Sequence, residues 1–503
     1  MPVRCAVRPG TYFDSVVLMG IAAELGRQPG VRAGSLVMAT PANREVLAEA
    51  GLLGPGAETA GPNDLVIAVD ADEERLEAVI AAADEALARR SEPPPTEAGA
   101  PLRPRTLAQA PGASLALIST PGRYAAAEAL KALRLGMSVF LFSDNVPLEH
   151  EVALKREAHE RGLLVMGPDC GTAIVDGVPL GFANEVRRGG VGLIGASGTG
   201  LQQVSTLVDR WGAGVSHAIG VGSHDLSAEV GAISMLDALD ALAADAATNV
   251  IVLVSKPPDP AVAERVLARA AAAGKPVVAA FLGADAGDAP DGVTIVRTLE
   301  DAARAAVRAV RGDDPAPAPG GDGPPRLSPG ASDRRLLRAL YAGGTFAYEA
   351  RIILEPLLGE IGEAADPPAA GRPAVLPDEH LILDLGADRF TVGRPHPMID
   401  SAVRLEMLRA AGDDPRTAVV LLDVVLGHGA ADDPAGDLAP AIAELAARED
   451  PARVVAFVVG THADPQGLER QERTLRDAGA HVATSSTAAA RLAEAVLATE
   501  VPA

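Results

Sequence analysis

The sequence predicts an α/β protein built from several strand–helix units, and three observations predict it. Apolar runs of strand length alternate with helix-length segments along most of the 503 residues. A glycine-rich turn, Gly192-Leu193-Ile194-Gly195-Ala196-Ser197-Gly198-Thr199-Gly200, joins a buried-strand pattern to a helix pattern, and a similar junction recurs at Leu337 to Thr345. Stretches rich in Pro, Gly and Ala at 91–106 and 313–329 read as linkers that divide the chain.

The elements follow in order. Residues 1–90 alternate strand-like runs (3–7, 34–39, 65–69) with helix-like ones (14–25, 42–50, 73–88), which predicts a small N-terminal α/β domain. The next unit, 107–189, opens on Leu115 to Ile118 and continues as helix, strand (Ser138 to Phe142) and helix (Leu148 to Arg161). It ends in the loop Gly167-Pro168-Asp169-Cys170-Gly171-Thr172. Its rhythm is Rossmann-like, although its first turn, Ser119-Thr120-Pro121-Gly122-Arg123, lacks the dinucleotide fingerprint. A flavodoxin-like unit spans 190–311, with strands at Gly192, His217, Val250 and Pro276. A second spans 330–503, with strands at Leu337, Leu381, Ala418 and Val454.

Composition narrows the function classes. With 67 acidic against 44 basic residues the formal charge is −23, which argues against nucleic-acid or anionic-membrane partners. Cys5 and Cys170 are the two cysteines, far apart in sequence, so no disulfide framework is expected, and no His/Cys cluster has zinc spacing. The first residues lack a signal-peptide pattern and no apolar run has membrane-spanning length, so the cytosol is the expected location.

Several residues suit chemistry. Glycines in a strand-to-helix turn let backbone approach a ligand, and the helix start exposes unpaired N–H groups, so Ser197, Gly198, Thr199 and Gly200 form a candidate anion site. The bland alternative is a tight reversal. Lys256 follows a buried strand, where loops of α/β sheets carry function, and suits a cation that neutralises developing charge. His428, between Gly427 and Gly429 at a strand end, suits phosphate contact or proton transfer, or simply fills the turn. Arg394 and His396 lie in the proline-fixed segment Gly393-Arg394-Pro395-His396-Pro397, which fits a binding loop or a rigid structural one. Polar His224 and Asp225 are open to both readings, whereas Cys170 has no adjacent base and reads as a packed small hydrophobe.

The pairing of Gly167-Pro168-Asp169-Cys170 with the Ser-Gly-Thr turn resembles the α subunit of succinyl-CoA synthetase. Together with Pro41-Ala42-Asn43, Phe142-Ser143-Asp144-Asn145-Val146, Val254-Ser255-Lys256-Pro257-Pro258 and Thr391-Val392-Gly393-Arg394-Pro395-His396-Pro397-Met398-Ile399-Asp400, it resembles the FdrA family over essentially the whole chain. That resemblance implies a Rossmann-like CoA-binding domain followed by two flavodoxin-like succinyl-CoA synthetase-type ligase domains. It implies that Ser197, Gly198 and Thr199 donate to a phosphate or acyl phosphate. Gly343, Gly344 and Thr345 are their counterpart, and Gly427 to Gly429 correspond to the β subunit's phosphate-facing loop. Asp169, Gly171, Thr172, Arg394 and His396 are the implied substrate-loop residues.

The departures matter equally. The synthetase's phosphorylated histidine has no counterpart after Gly283, since no histidine occurs between His224 and His380. Its acidic partner is replaced by Ser255-Lys256-Pro257-Pro258, and no stretch supplies a nucleotide domain. Family membership implies a subunit of an oxamate carbamoyltransferase that makes oxamate and carbamoyl phosphate from oxalurate and phosphate, working with other subunits. Phosphate is then a substrate, CoA binding stays open, and Mg would enter with the phosphate. The alternatives are a CoA-dependent ligase or transferase subunit and a non-catalytic subunit.

Overall fold

The computed structural model describes all residues except 1–2, 14, 92–105, 111, 285–288, 316–333, 366, 368–373, 392–393 and 499–503. Much of both predicted linkers, Val392 and Gly393 of the proline segment, and 285–288 of the loop after Gly283 therefore lie outside the described residues. The chain forms two compact units. One comprises Met1–Ala110, Ala369–Arg372 and Ala387–Asp400, and the other holds the rest.

In the first unit, β1 (Val3–Arg8), α1 (Ser15–Gly26), β2 (Val31–Met38), α2 (Pro41–Glu49), β3 (Leu65–Ala71) and α3 (Leu76–Ser91) follow the predicted order. The sheet is antiparallel with β3 in the centre, and Leu18, Ile21 and Leu25 of α1 pack with Val79 and Ala83 of α3 on one face. Thr40 caps α2 by accepting the Asn43 amide at 3.2 Å, and Pro41 occupies the first turn where no N–H is needed.

The second unit contains three sheets. β4 (Leu115–Ile118), α4 (Gly122–Arg134), β5 (Ser138–Leu141), α5 (Leu148–Glu160) and β6 (Val165–Met166) make a three-stranded parallel sheet in chain order. Gly122, in its first turn, is pressed against the Asp144 and Asn145 carbonyls, so the protein's own backbone fills the space that a nucleotide-binding turn keeps open.

The hairpin β7 (Thr172–Val175) and β8 (Val178–Gly181) departs from the 107–189 boundary. It leaves that sheet and pairs antiparallel with the edge of the next one, because the loop 167–171 turns the chain across. That next sheet has β9 (Arg188–Gly195), α6 (Gly198–Arg210), β10 (Val215–Gly220), α7 (Ile233–Ala244), β11 (Val250–Ser255), α8 (Pro260–Ala271), β12 (Val277–Phe281), β13 (Val293–Ile295) and α9 (Leu299–Arg311). Its order is β13-β12-β11-β9-β10-β7-β8. The continuous apolar runs of its strands match a sheet buried on both faces, with Ile194, Ile251, Leu253 and Ala279 in one core.

The third sheet is wholly parallel, in the order β15-β14-β16-β17-β18. Its elements are β14 (Leu336–Tyr341), α10 (Gly344–Leu358), β15 (Leu381–Asp384), α12 (Ala402–Asp413), β16 (Thr417–Val425), α13 (Pro434–Ala446), β17 (Arg453–Val459), α14 (Leu468–Asp477), β18 (His481–Ala483) and α15 (Ser486–Ala498). The short helix α11 (Asp388–Thr391) belongs to the first unit, which interrupts the predicted 330–503 domain.

In both large sheets the chain first builds to one side and then reverses. The switch points fall at β9/β11 and at β14/β16, and open α/β sheets bind ligands at the carboxyl ends of such strands.

Candidate functional site

Both glycine turns leave their sheets at a switch point and open a helix. Ser197 is extended and caps α6, its Oγ accepting the Gly200 amide at 2.9 Å. Gly200 sits where a side chain would meet Ser197 Oγ at 2.5 Å and Val254 Cγ1 at 2.8 Å, so the turn needs glycine there for close packing. At α10 the cap is Gly343, which brings no side chain to the helix start.

The two helix starts meet. Ser197 Oγ and Thr345 Oγ1 are 2.5 Å apart, and a Cβ on Gly343 would lie 2.7 Å from Thr199 Cγ2. The amides of Gly198, Thr199, Gly344 and Thr345 make no hydrogen bond among the described residues. Two positive dipole ends and their open N–H groups thus converge, the electrostatics of an anion site. Beneath the second turn, buried Asp423 accepts the Ala342 amide at 2.9 Å and pairs with buried Arg404 at the same distance. Burial pushes the Asp423 carboxyl up from its ordinary range, and the Arg404 charge opposes that rise.

Lys256 and Asp384 flank this junction. Lys256 leaves β11 exposed, its Nζ 3.4 Å from where a Gly344 Cβ would stand, with no ion-pair or hydrogen-bond partner among the described residues. Asp384, at the end of β15, lies against Gly344 and accepts the Gly386 amide at 3.0 Å. The sequence reading missed Asp384, because only the neighbouring strand β14 brings it to the α10 turn.

The substrate-loop residues divide. Thr172 Oγ1 is 3.2 Å from the Cβ position of Gly198 and donates to the Phe182 carbonyl at 2.7 Å, so it borders the first turn. Gly171 accepts the Phe182 amide at 2.7 Å, and Asp169 accepts Ser223 Oγ at 3.0 Å, which fixes the loop. Buried Cys170 has its thiol pushed up to about 12 by burial, which suits packing rather than nucleophilic attack. Arg394 and His396 fall in the first unit, where the Arg394 amide donates to Thr391 and His396 Nδ1 accepts the Met398 amide.

His428 faces the 181–185 segment. Its amide donates to the Ala183 carbonyl at 2.8 Å and its Nε2 is 2.6 Å from Glu185 Oε1. Gly427 and Gly429, at φ +103° and +78°, are required by this turn, since side chains there would strike the Ala183 carbonyl and Phe182. A further charged cluster was not read from the sequence. Buried Lys155 Nζ bonds Glu151 at 2.7 Å, Asp225 at 2.8 Å and the Val221 carbonyl, with His224 on the other Glu151 oxygen at 3.3 Å. Its only local signal is the i, i+4 pair on α5; Asp225 also accepts the Ser234 and Met235 amides of α7, so the cluster ties the 221–225 loop down.

Comparison with known proteins follows this layout. The AllF heavy metal-associated domain model matches residues 1–101, the CoA binding domain model 186–283 and the CoA-ligase model 340–496. The CoA binding match covers the span expected to be the first ligase-type unit. YahF of Escherichia coli (strain K12) is 41% identical over 517 residues, covering 97% of each chain. The succinate–CoA ligase [ADP-forming] subunit alpha-2 of Trichomonas vaginalis is 28% identical over 149 residues, 29% of this chain and 46% of that one. A solved dinucleotide-forming acetyl-coenzyme A synthetase 1 from Ca. Korarchaeum cryptofilum, in complex with phosphate and ADP, has a TM-score of 0.36 at 15% identity, covering 82% of this chain and 90% of that one.

Among the described residues, the metal in the first model's description finds no matching ligands. Cys5 Sγ donates to the Leu52 carbonyl and accepts the Gly54 amide, and no group of three His, Cys, Asp or Glu among the described residues is disposed to hold an ion. Among the same residues, no helix is long and apolar enough to cross a membrane.

Proposed function

Since the chain belongs to the FdrA family of succinyl-CoA synthetase-like proteins, we propose that it is the subunit of a carbamoyltransferase in which oxalurate meets phosphate. One observation carries the reading: two facing helix starts offer the amides of Gly198, Thr199, Gly344 and Thr345, open among the described residues, beside the Lys256 cation. Phosphate held there has its charge met by fixed dipoles, which need no reorganisation as the tetrahedral intermediate forms. A phosphate oxygen bonds to the ureido carbon, the bond from that carbon to the oxamate nitrogen breaks, and the nitrogen takes the proton of HPO4²⁻. Oxamate and carbamoyl phosphate leave, atoms and charge balance, and no nucleotide is consumed.

A second reading, an acyl-CoA ligase-like subunit, is favoured by the matches to the CoA binding and CoA-ligase models. Against it stands the missing phosphate-carrying histidine.

The test is phosphate-dependent release of carbamoyl phosphate from oxalurate by the chain with its companion subunits. Gly198→Val should lower the rate on the order of a hundredfold, the size of a lost oxyanion donor, because its side chain keeps phosphate from the amides that it leaves in place. Turnover that needs CoA but not phosphate, or an acid-labile phosphohistidine after incubation with labelled ATP, would establish the second reading instead.

A further inference from the structure

We propose that His428 relays the proton of the attacking phosphate to the leaving oxamate nitrogen, and that Glu185 is the residue that positions its ring. The inference rests on the carbamoyl-transfer reading and adds to it a proton path and a positioning residue.

The turn that carries His428 leaves the same strand ends as the second helix start. β14 and β16 are neighbours, with Leu340 opposite Leu422, and they continue as the turns 342–345 and 426–429, one on each side of the switch point. The first helix start is reached through one extended segment. Thr172 Oγ1, 3.2 Å from the Cβ position of Gly198, donates to the Phe182 carbonyl, and the next carbonyl along, that of Ala183, accepts the His428 amide. The turn therefore borders the crevice at the strand ends from which both helices start.

Two amides of this turn are spent on holding it, Gly427 donating to Gln466 Oε1 at 3.0 Å and His428 to Ala183 at 2.8 Å. What the turn offers a reaction is the imidazole. Its Nε2 is 2.6 Å from Glu185 Oε1, its Nδ1 has no partner among the described residues, and the side chain is 47% exposed. A carboxylate only accepts, so Nε2 carries the proton of the neutral ring and Nδ1 is the nitrogen that exchanges one. Glu185 is fixed at the backbone on both sides. Its amide donates to Asp464 Oδ1 at 2.8 Å and its carbonyl accepts Thr461 Oγ1 at 2.5 Å, both from the loop after β17, where buried Asp464 also accepts Asn184 Nδ2 and the Thr461 amide. The loops after β16 and β17 thus hold the two members of the dyad separately, each on a rigid strand end.

An amide nitrogen leaves readily only when it is protonated as its bond breaks, which is work for a positioned acid. As an oxygen of HPO4²⁻ bonds to the ureido carbon, the phosphate proton moves to Nδ1. The imidazolium, its charge met by Glu185, then gives that proton to the nitrogen as the bond from the ureido carbon to nitrogen breaks. His428 ends neutral as it began and Glu185 stays ionised throughout, so atoms and charge balance with no further reactant.

The experiment measures carbamoyl phosphate release from oxalurate and phosphate by the full-length chain with its companion subunits, with and without added imidazole. His428→Gly should lower kcat on the order of a hundredfold, the size of a lost general acid, and imidazole should restore much of the rate. His428→Gln, which fills the space of the ring, should lose as much without responding to imidazole. Glu185→Gln should cost roughly tenfold in the wild-type background and nothing further beside His428→Gly, because it acts only through the ring. Should three successive glycines unfold the turn, seen as a lowered urea midpoint, the same cycle is run on His428→Ala. Wild-type kcat in His428→Gln, a folded cavity variant unresponsive to imidazole, or an equal loss from Glu185→Gln in both backgrounds overturns the relay and leaves carbamoyl transfer standing. A wild-type complex that releases no carbamoyl phosphate from oxalurate and phosphate overturns both.

Discussion

The meeting of the two helix starts can be measured as a coupling between Ser197 and Thr345. Ser197→Ala removes the cap on the Gly200 amide, worth about 1 kcal/mol for a serine cap. It also removes the 2.5 Å hydroxyl contact with Thr345, which adds about 1 kcal/mol for an intramolecular hydrogen bond. Thr345→Val removes only that second contact while keeping the branched shape of a buried side chain. The double variant should therefore be more stable than the sum of the single losses implies, by about 1 kcal/mol, because both substitutions delete the same contact. Urea unfolding followed by tryptophan fluorescence reads this directly. Trp211 is the only tryptophan of the chain, it is buried, and it caps the far end of the helix that Ser197 begins. Additivity within about 0.3 kcal/mol would show that the two turns do not touch in solution.

Two further outcomes follow from buried groups. Glu349 of α10 accepts the Leu299 amide and the Ser486 and Thr487 hydroxyls, and burial is the main cause that raises its pKa. A carboxyl whose folded pKa is raised adds stability in acid that is lost as pH rises through the folded value. The stability difference between wild type and Glu349→Gln, from urea midpoints, should accordingly move against the wild type as pH climbs past the ordinary carboxylate range. A difference that moves the other way contradicts the assignment. With its thiol pushed up to about 12, Cys170 should react with a disulfide reagent at neutral pH only after unfolding, and prompt labelling of native Cys170 would contradict its burial.

The features legible in the sequence are those whose signal is local. Glycine turns after apolar runs marked both switch-point helices, Ser197 had the side chain of a cap, and Cys170 lacked a base. The convergence of Ser197 on Thr345 was legible only through the resemblance, because 148 positions separate them. Asp384 and Glu185 went unread for a related reason. Parallel pairing of β15 with β14 brings the first to Gly344, and the loop after β17 brings the second to His428. The hairpin 172–181 looked like an extension of the preceding unit since nothing in its own pattern names the sheet it joins. Likewise no periodicity assigns 387–400 to the first unit.

The two ligase-type sheets belong to one polypeptide, and this changes the thermodynamics of the junction between them. When such halves are separate chains, their association depends on how much of each the cell makes and weakens on dilution. Joined by the segment that follows α9, each half sees the other at an effective concentration in the millimolar range, whatever the abundance of the protein. An interface held this way can be polar. Here the Ser486 amide donates across it to Gln203 and the Leu299 amide donates across it to Glu349, and a junction of that kind stays assembled at the lowest copy number.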